Sequence, residues 1–283
     1  MEKNYLKGVI DTHVHSWPDV RERKMSDMEL MEAGVSRDVR GIVIKSHQMP
    51  TAARAAIINK MKEEKYPESS FQMFGGVTLN HAVGGLNPKA VETALKIGGK
   101  IVWLPTFDSE YTMKRKGTSG GIVCGANGKI AEAMKPILQL VKDYNAAIAT
   151  SHISPEEIFI VAEAARNMGI EKIIISHPES NLVGMTLEQQ KRLVKDYNVF
   201  LEHCYAQPVG DGTYKKNMED NLTAVREIGA ANTIIATDAG QTQNPYWYES
   251  LSESIQYLEE HGVGQEEIDR MTRKNPAYVL GIE

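Results

Sequence analysis

A chain of 283 residues with 32 basic and 37 acidic side chains carries a formal charge of -5. That balance leaves no electrostatic footprint for nucleic acid, and no apolar run reaches the length of a membrane span. Only Cys124 and Cys204 are present, without a Cys-x-x-Cys. Neither a disulfide framework nor a thiolate zinc site is therefore expected, and free thiols in a reducing cytoplasm are. The first residues carry charge from position 2 and lack the apolar core of a signal peptide, which fits the same cytoplasmic expectation.

Short β-branched runs alternate with helical patterns along the chain. The spacing predicts a first strand over 9–15 and a short helix over 26–33 with Ser26 as its cap. A second strand at 41–45 precedes a helix over 51–64. A third near 74–79 precedes a helix opening at Pro88, a favoured first helical position. The fourth, 100–104, runs into residues 107–129, which are rich in Gly, Lys and Ser and show no clear period. A helix near 130–144 leads to a fifth strand at 146–150. Ser154-Pro155-Glu156-Glu157 then reads as a helix start, with a cap, Pro at N1 and Glu at N3. The sixth strand, 172–176, is followed by a helix from Thr186, and the seventh, 198–202, by one near 219–228. The eighth, 233–237, is followed by helices near 248–260 and 265–271.

Eight strands each followed by a helix is the arithmetic of an α/β fold of the (β/α)8 TIM barrel type. It is read as one domain over 1–283 with a long loop insertion, 107–129, after strand 4. Apolar strands of this kind suit a parallel sheet buried on both faces. An open doubly wound sheet is the runner-up, weakened because no Gly-x-Gly-x-x-Gly follows the first strand.

The histidines follow the strand ends. His13 and His15 end strand one, His47 strand two, and His81 follows strand three. His152, His177 and His203 end strands five, six and seven, and Asp238 ends strand eight. Strand ends make up roughly a tenth of a barrel chain, so about one histidine would fall there by chance. In a parallel barrel these ends converge on one mouth, at the C-terminal ends of the strands. His13 and His15, two apart in extended backbone, point to one face and can grip one metal ion together. Neutral imidazole and carboxylate are the usual ligands of zinc and related divalent ions. Such an ion lowers the pKa of a bound water, and a carboxylate beside it can accept the proton.

These positions resemble the metal-site pattern of the amidohydrolase superfamily: His-x-His after strand one, His after strands five and six, and Asp after strand eight. The tail Asn275-Pro276-Ala277-Tyr278-Val279-Leu280-Gly281 resembles the Asn-Pro-Ala-x-x-Leu-Gly ending common there. Ile174-Ile175-Ser176-His177-Pro178 and Thr237-Asp238 are most similar to the branch of metal-dependent decarboxylases and hydrolases of small carboxylates. The resemblance implies that His13, His15 and His152 are metal ligands and that Asp238 is both ligand and general base. His177 would bind a second metal or polarise substrate beside a single one. The implied ion is divalent, zinc first with manganese or iron as alternatives. The pattern departs at strand four: Val102-Trp103-Leu104-Pro105-Thr106 offers neither bridging Glu nor Lys, so one ion is expected in preference to two. Lys45 on strand two could bridge if carboxylated, bind a substrate anion, or form a buried ion pair.

Substrate contacts are assigned to Lys45, His47, His203 and Arg115, with support of a metal ligand as the alternative role for His47 and His203. Arg115 lies in a basic stretch, 113–121, that lacks the spacing of a phosphate loop. A mobile lid bringing a cation to an anionic substrate is the favoured reading there. His81 reads as a loop residue, His261 as a solvent-facing one, and Tyr246-Trp247-Tyr248 as either a pocket wall or rim packing. The leading expectation is a metal-dependent hydrolase of a small polar substrate (amide, ester or carboxylate-bearing) working through metal-activated water. A decarboxylase or other lyase on the same barrel, or a ligand-binding barrel without turnover, are the alternatives. The expected partner is a small molecule, not nucleic acid or membrane, and self-association into a homo-oligomer is compatible with this.

Overall fold

The computed structural model describes residues 3–210 and 212–282. β1 (Ile10–His15) leads to α1 (Asp27–Val35), and β2 (Gly41–Lys45) to α2 (Ala52–Lys65). β3 (Gln72–Phe74) runs on into β4 (Gly76–Thr78) before α3 (Pro88–Lys96). β5 (Ile101–Trp103) is followed by α4 (Glu110–Arg115), the short strands β6 (Gly125–Ala126) and β7 (Lys129–Ile130), and α5 (Met134–Asp143). β8 (Ala147–Ala149) precedes α6 (Pro155–Asn167), and β9 (Ile173–Ser176) precedes α7 (Leu187–Tyr197). β10 (Phe200–Cys204) opens into a hairpin, β11 (Ala206–Gly210) and β12 (Thr213–Lys216), and then α8 (Met218–Ile228). β13 (Thr233–Ala236) leads to α9 (Trp247–Glu260), α10 (Gln265–Asp269) and the terminal α11 (Asn275–Leu280).

All eight expected strand positions are found, but not as one unbroken ladder. They form two parallel sheets, β1-β2-β3 and β13-β10-β9-β8-β5-β4. The third position is split at Gly75, so that β3 pairs with β2 and β4 with β5. Thr51 explains the split. Its N–H donates to the Gly76 carbonyl at 2.8 Å, and its Oγ1 accepts from the Gly76 N–H at 2.9 Å, so these groups leave the β2 ladder. A Cβ on Gly76 would stand 1.8 Å from the Ile101 carbonyl oxygen, so only glycine lets β4 lie this close to β5. The other seam, between β1 and β13, is joined by a single bridge, Val14 to Ala239, with His15 N–H donating to Ala239 O at 2.7 Å. Below it the buried Asp11 carboxylate accepts from Thr237 N–H at 3.2 Å and Thr237 Oγ1 at 2.7 Å, a side chain doing what a ladder bond would do.

Apolar residues fill three regions. Ile10, Val43, Ile101, Trp103, Ile174 and Ile234 pack between the strands, and two larger clusters lie between strands and helices. Each such side chain contributes about 1.5–3 kcal/mol by leaving water. Ala277, Val279 and Leu280 of α11 join the inner cluster. Asn275 Nδ2 donates to the carbonyls of Ala230 and Thr233 at 2.9 and 2.7 Å. The tail therefore seals the N-terminal ends of the strands, and the opposite ends remain for chemistry.

The capping signals form as the sequence predicts, with reciprocal bonds at Ser26/Glu29, Ser154/Glu157 and Thr186/Gln189. The segment 107–129 is more ordered than its composition suggests: it holds α4, β6 and the start of β7, and α5 consequently begins at Met134 rather than near 130. The β11–β12 hairpin was not legible, because Pro208, Gly210 and Gly212 break any alternating pattern. No helix among the described residues is long and apolar enough to cross a membrane.

Candidate metal centre

His13 and His15 stand at the end of β1 and are buried, and both face Asp238 beyond β13. Asp238 Oδ1 lies 3.3 Å from His13 Nε2 and 3.1 Å from His15 Nε2. The β1–β2 register shifts between Asp11 and Val14, an irregularity of the kind that re-aims side chains beside active sites. With it, both Thr12 and His13 reach Glu202 of β10: Thr12 Oγ1 donates to Oε1 at 2.6 Å, and His13 Nδ1 lies 3.0 Å from Oε2. The backbone is left-handed at Ser151, His177 and Asp238, with φ of 52°, 33° and 51°, one beyond each of β8, β9 and β13. Non-glycine residues in that region mark sites where the surroundings impose the conformation. Gly240 (φ 121°) is obligatory for a simpler reason, since a Cβ there would lie 1.9 Å from the His15 carbonyl oxygen.

His152 and His177 complete the ring of side chains. The centroids of His13 and His177 are 5.8 Å apart, and those of His152 and His177 are 5.1 Å apart. His47 stacks on His15 at 4.7 Å and pairs through Nδ1 with Thr106 Oγ1 at 2.9 Å. Lys45, the last residue of β2, is fully buried and donates to His13 Nε2 at 3.1 Å.

The electrostatics suit a cation. Burial keeps His15, His47 and His152 well below the usual imidazole range and lowers His177 to about 4. Burial works to raise the Asp238 carboxyl, but the His13 and His15 rings beside it hold it well below the usual carboxylate range. Burial likewise lowers Lys45. Neutral imidazoles around an ionised carboxylate are the donor set of a divalent metal.

Two observations show that these residues fit such an ion. Among the described residues, His152 Nδ1 and both ring nitrogens of His177 are buried without a partner, which is costly unless something else binds them. We assign the His13 Nδ1 proton to the bond with Glu202, a common arrangement behind a metal-ligating histidine. Nε2 then turns its lone pair to the centre, with Asp238 Oδ1 at 3.3 Å and the Lys45 ammonium, whose place at that lone pair a bound ion would take, at 3.1 Å. His13, His15 and Asp238 bring ligand atoms within 4.8 Å of one another, as do His13, Glu202 and Cys204. In the second group His13 offers only the nitrogen committed to Glu202, and burial pushes the Cys204 thiol well above its ordinary range. We read that group as the orienting side of His13.

A cavity of about 160 Å³ opens over this centre, with His13, Lys45, His47, His152 and Asp238 in its walls. Phe107, Leu182 and Pro208 supply apolar wall, Tyr214 and Gln241 polar wall, and Arg21 and Arg23 the remaining cations. A larger groove of about 530 Å³, near Arg166, Asn275 and Tyr278, lies at the sealed ends of the strands and contains no histidine.

Of the four residues expected to touch substrate, Lys45 and His47 line the cavity, and Arg115 and His203 do not. Arg115 Nη1 donates to the carbonyls of Asn181 and Leu182 at 2.6 and 3.4 Å, so it braces a neighbouring loop instead of reaching the centre. His203 is excluded by strand alternation: Glu202 and Cys204 face His13, so His203 faces away and pairs with Glu179 Oε2 at 2.9 Å. The arginines that line the cavity come from the loop after β1, and none of 113–121 lines it. Tyr246 and Tyr248 stack on each other, and none of 246–248 lines the cavity. His81 sits in an exposed turn, with Nε2 3.0 Å from Gly120 O, and His261 is exposed beyond α9. Sequence reasoning missed Thr12, Glu202, Arg21, Arg23 and Tyr214. Only Glu202 left a signal, an acidic residue in an otherwise apolar strand.

Solved structures of like fold include an amidohydrolase from Pseudomonas aeruginosa at 13% identity and TM-score 0.66, over 98% of each chain. An organophosphorus hydrolase from Deinococcus radiodurans matches at 13% and 0.60, over 99% of this chain and 94% of that one. A 2,6-dihydroxybenzoate decarboxylase from Rhizobium matches at 11% and 0.59, over 98% and 99%. The chain has the fold of the amidohydrolase superfamily. Residues 8–202 match the family described as "Family of unknown function (DUF6282)", and the chain belongs to that family. No curated protein matches it.

Proposed function

We propose that this chain is a metal-dependent hydrolase of a small polar substrate, its two sheets acting as one (β/α)8 barrel with the metal at the C-terminal strand ends. The observation that carries this reading is the ring of His13, His15, His152, His177 and Asp238, with buried nitrogens of His152 and His177 left unpaired. Its fold also matches solved structures of hydrolases and of a decarboxylase. His13, His15, His152 and Asp238 would hold one divalent ion, zinc first, with His177 beside it. When bound, that ion supplies Lewis acidity and lowers the pKa of a water in contact with it.

The chain's own residues do the rest. Asp238 is ionised and accepts the proton of the attacking water. His177, neutral at physiological pH, donates a ring N–H to the oxygen that gains charge as the substrate carbonyl is attacked. Glu202 fixes the His13 ring so that Nε2 faces the centre. Lys45 places a second buried donor beside the same nitrogen. Phe107, Leu182 and Pro208 limit water around the reacting group. Decarboxylation on the same residues is the second reading, favoured by the cations in the cavity wall. Assaying amides, lactones and aromatic acids separates the two, because only decarboxylation releases carbon dioxide.

The test is metal content after purification without chelator. Wild type should retain close to one equivalent, and the Asp238→Asn, His13→Ala double variant should lose it. Equal metal in the two proteins would eliminate the proposed site.

A further inference from the structure

We propose that the substrate is a small carboxylate and that Arg21 recognises it; the idea rests on the metal-dependent reading above and deepens it. Among the described residues, three basic side chains besides the histidines line the cavity: Arg21, Arg23 and Lys45. Two of them are already engaged. Arg23 Nε and Nη2 donate to Asp19 Oδ2 at 3.0 and 2.9 Å. Lys45 stands at the metal centre itself, 3.1 Å from His13 Nε2, rather than at the rim. Arg21 is different: among the described residues no carboxylate pairs with its guanidinium. It lies over the Phe107 ring, 4.3 Å from the centroid.

Phe107 is itself cavity wall, and the Lys116 ammonium approaches the same ring at 5.1 Å. Two cations thus converge on one aromatic ring at the rim, and their mutual repulsion is relieved by an anion between them. Stacking on Phe107 restrains the guanidinium while leaving its N–H edge free, and that edge matches the two oxygens of a carboxylate. Among the described residues the only carboxylate in the cavity wall, Asp238, belongs to the metal centre. The site therefore has a negative pole at the histidines and a positive pole at Arg21. A substrate spanning them would place its carboxylate at the rim and its reacting carbon near the centre. The volume of about 160 Å³ is below the range typical of drug-sized ligands, which limits the substrate to a small molecule. The walls of Phe107, Leu182 and Pro208 suit an apolar or planar body.

The experiment is calorimetric titration of the zinc-loaded protein with benzoate, benzamide and phenyl phosphate. Wild type should bind benzoate more tightly than the other two. Arg21→Gln should weaken benzoate by about tenfold or more, the worth of a charge-assisted pair, without changing benzamide. Arg21→Lys should recover part of the loss, and Arg115→Gln should behave as wild type. The proposal is overturned if wild type does not bind benzoate, if Arg21→Gln binds it unchanged, if benzamide weakens equally, or if phenyl phosphate is preferred. Zinc content separates the two ideas. A chain that holds no zinc yet shows Arg21-dependent benzoate binding defeats the metal reading alone. Zinc retention with Arg21-independent binding defeats this proposal alone.

Discussion

His13 does more than supply one nitrogen. Its Nδ1 is committed to Glu202 and its Nε2 faces Asp238, so a single carboxylate on β10 decides which lone pair the centre receives. Burial works to raise Glu202, but His13, Thr12 and Lys45 around it keep it ionised. Replacing it should therefore be felt at the metal more than in the fold. Glu202→Gln is expected to weaken zinc affinity by about 10–100-fold in a competition titration, and His203→Gln, one residue on, to leave it unchanged. If the two variants bind zinc alike, the orienting role of Glu202 is wrong. Adjacent letters with opposite roles are what a strand produces, and the two-residue period separates them.

Among the elements, the turn after β13 shows how little freedom the site has. Gly240 passes so close to the His15 carbonyl that any side chain would meet backbone, and its φ of 121° is one that other residues rarely adopt. Gly240→Ala should lower the melting temperature, costing more than about 1 kcal/mol because both space and dihedral oppose it. It should also weaken zinc binding, since the group displaced is the backbone of a proposed ligand, His15. A variant with wild-type melting and zinc affinity would show that this turn does not position His15. The same scale explains which elements could be read. Strands flanked by capping boxes were legible because both signals are local. The split at Gly75 and the β11–β12 hairpin were not: the first depends on Thr51 arriving from elsewhere in the chain, and the second lacks an alternating pattern.

The whole molecule carries the cost of burying four neutral histidines around one centre. In the unfolded chain each takes up a proton below about 6.5, while in the fold His177 does so only near 4 and His15, His47 and His152 are also held low. The unfolded state then binds more protons, so stability falls as pH drops through this window. Asp11 acts oppositely: burial raises its carboxyl to about 7, so it favours the fold as pH drops from about 7 towards 3.8. Four groups against one give a net loss. Chelator-treated protein should accordingly unfold at lower urea concentration at pH 5 than at pH 7. An unchanged or higher midpoint at pH 5 would mean that these rings are not held neutral.

The order of strands and helices, and the gathering of His13, His15, His152, His177 and Asp238 at strand ends, were fixed by sequence alone. Periodicity, caps and strand termini are local properties, and a parallel α/β topology sends every strand end to one side. Which residues share the centre was a tertiary decision. Arg115 looked available and is tied to Asn181 and Leu182. His203 sat beside Glu202 and faces the other way. Arg21 carried no signal until Phe107 was placed beneath it. Contacts between residues far apart in the chain depend on the path of every loop between them, and no local pattern encodes that path.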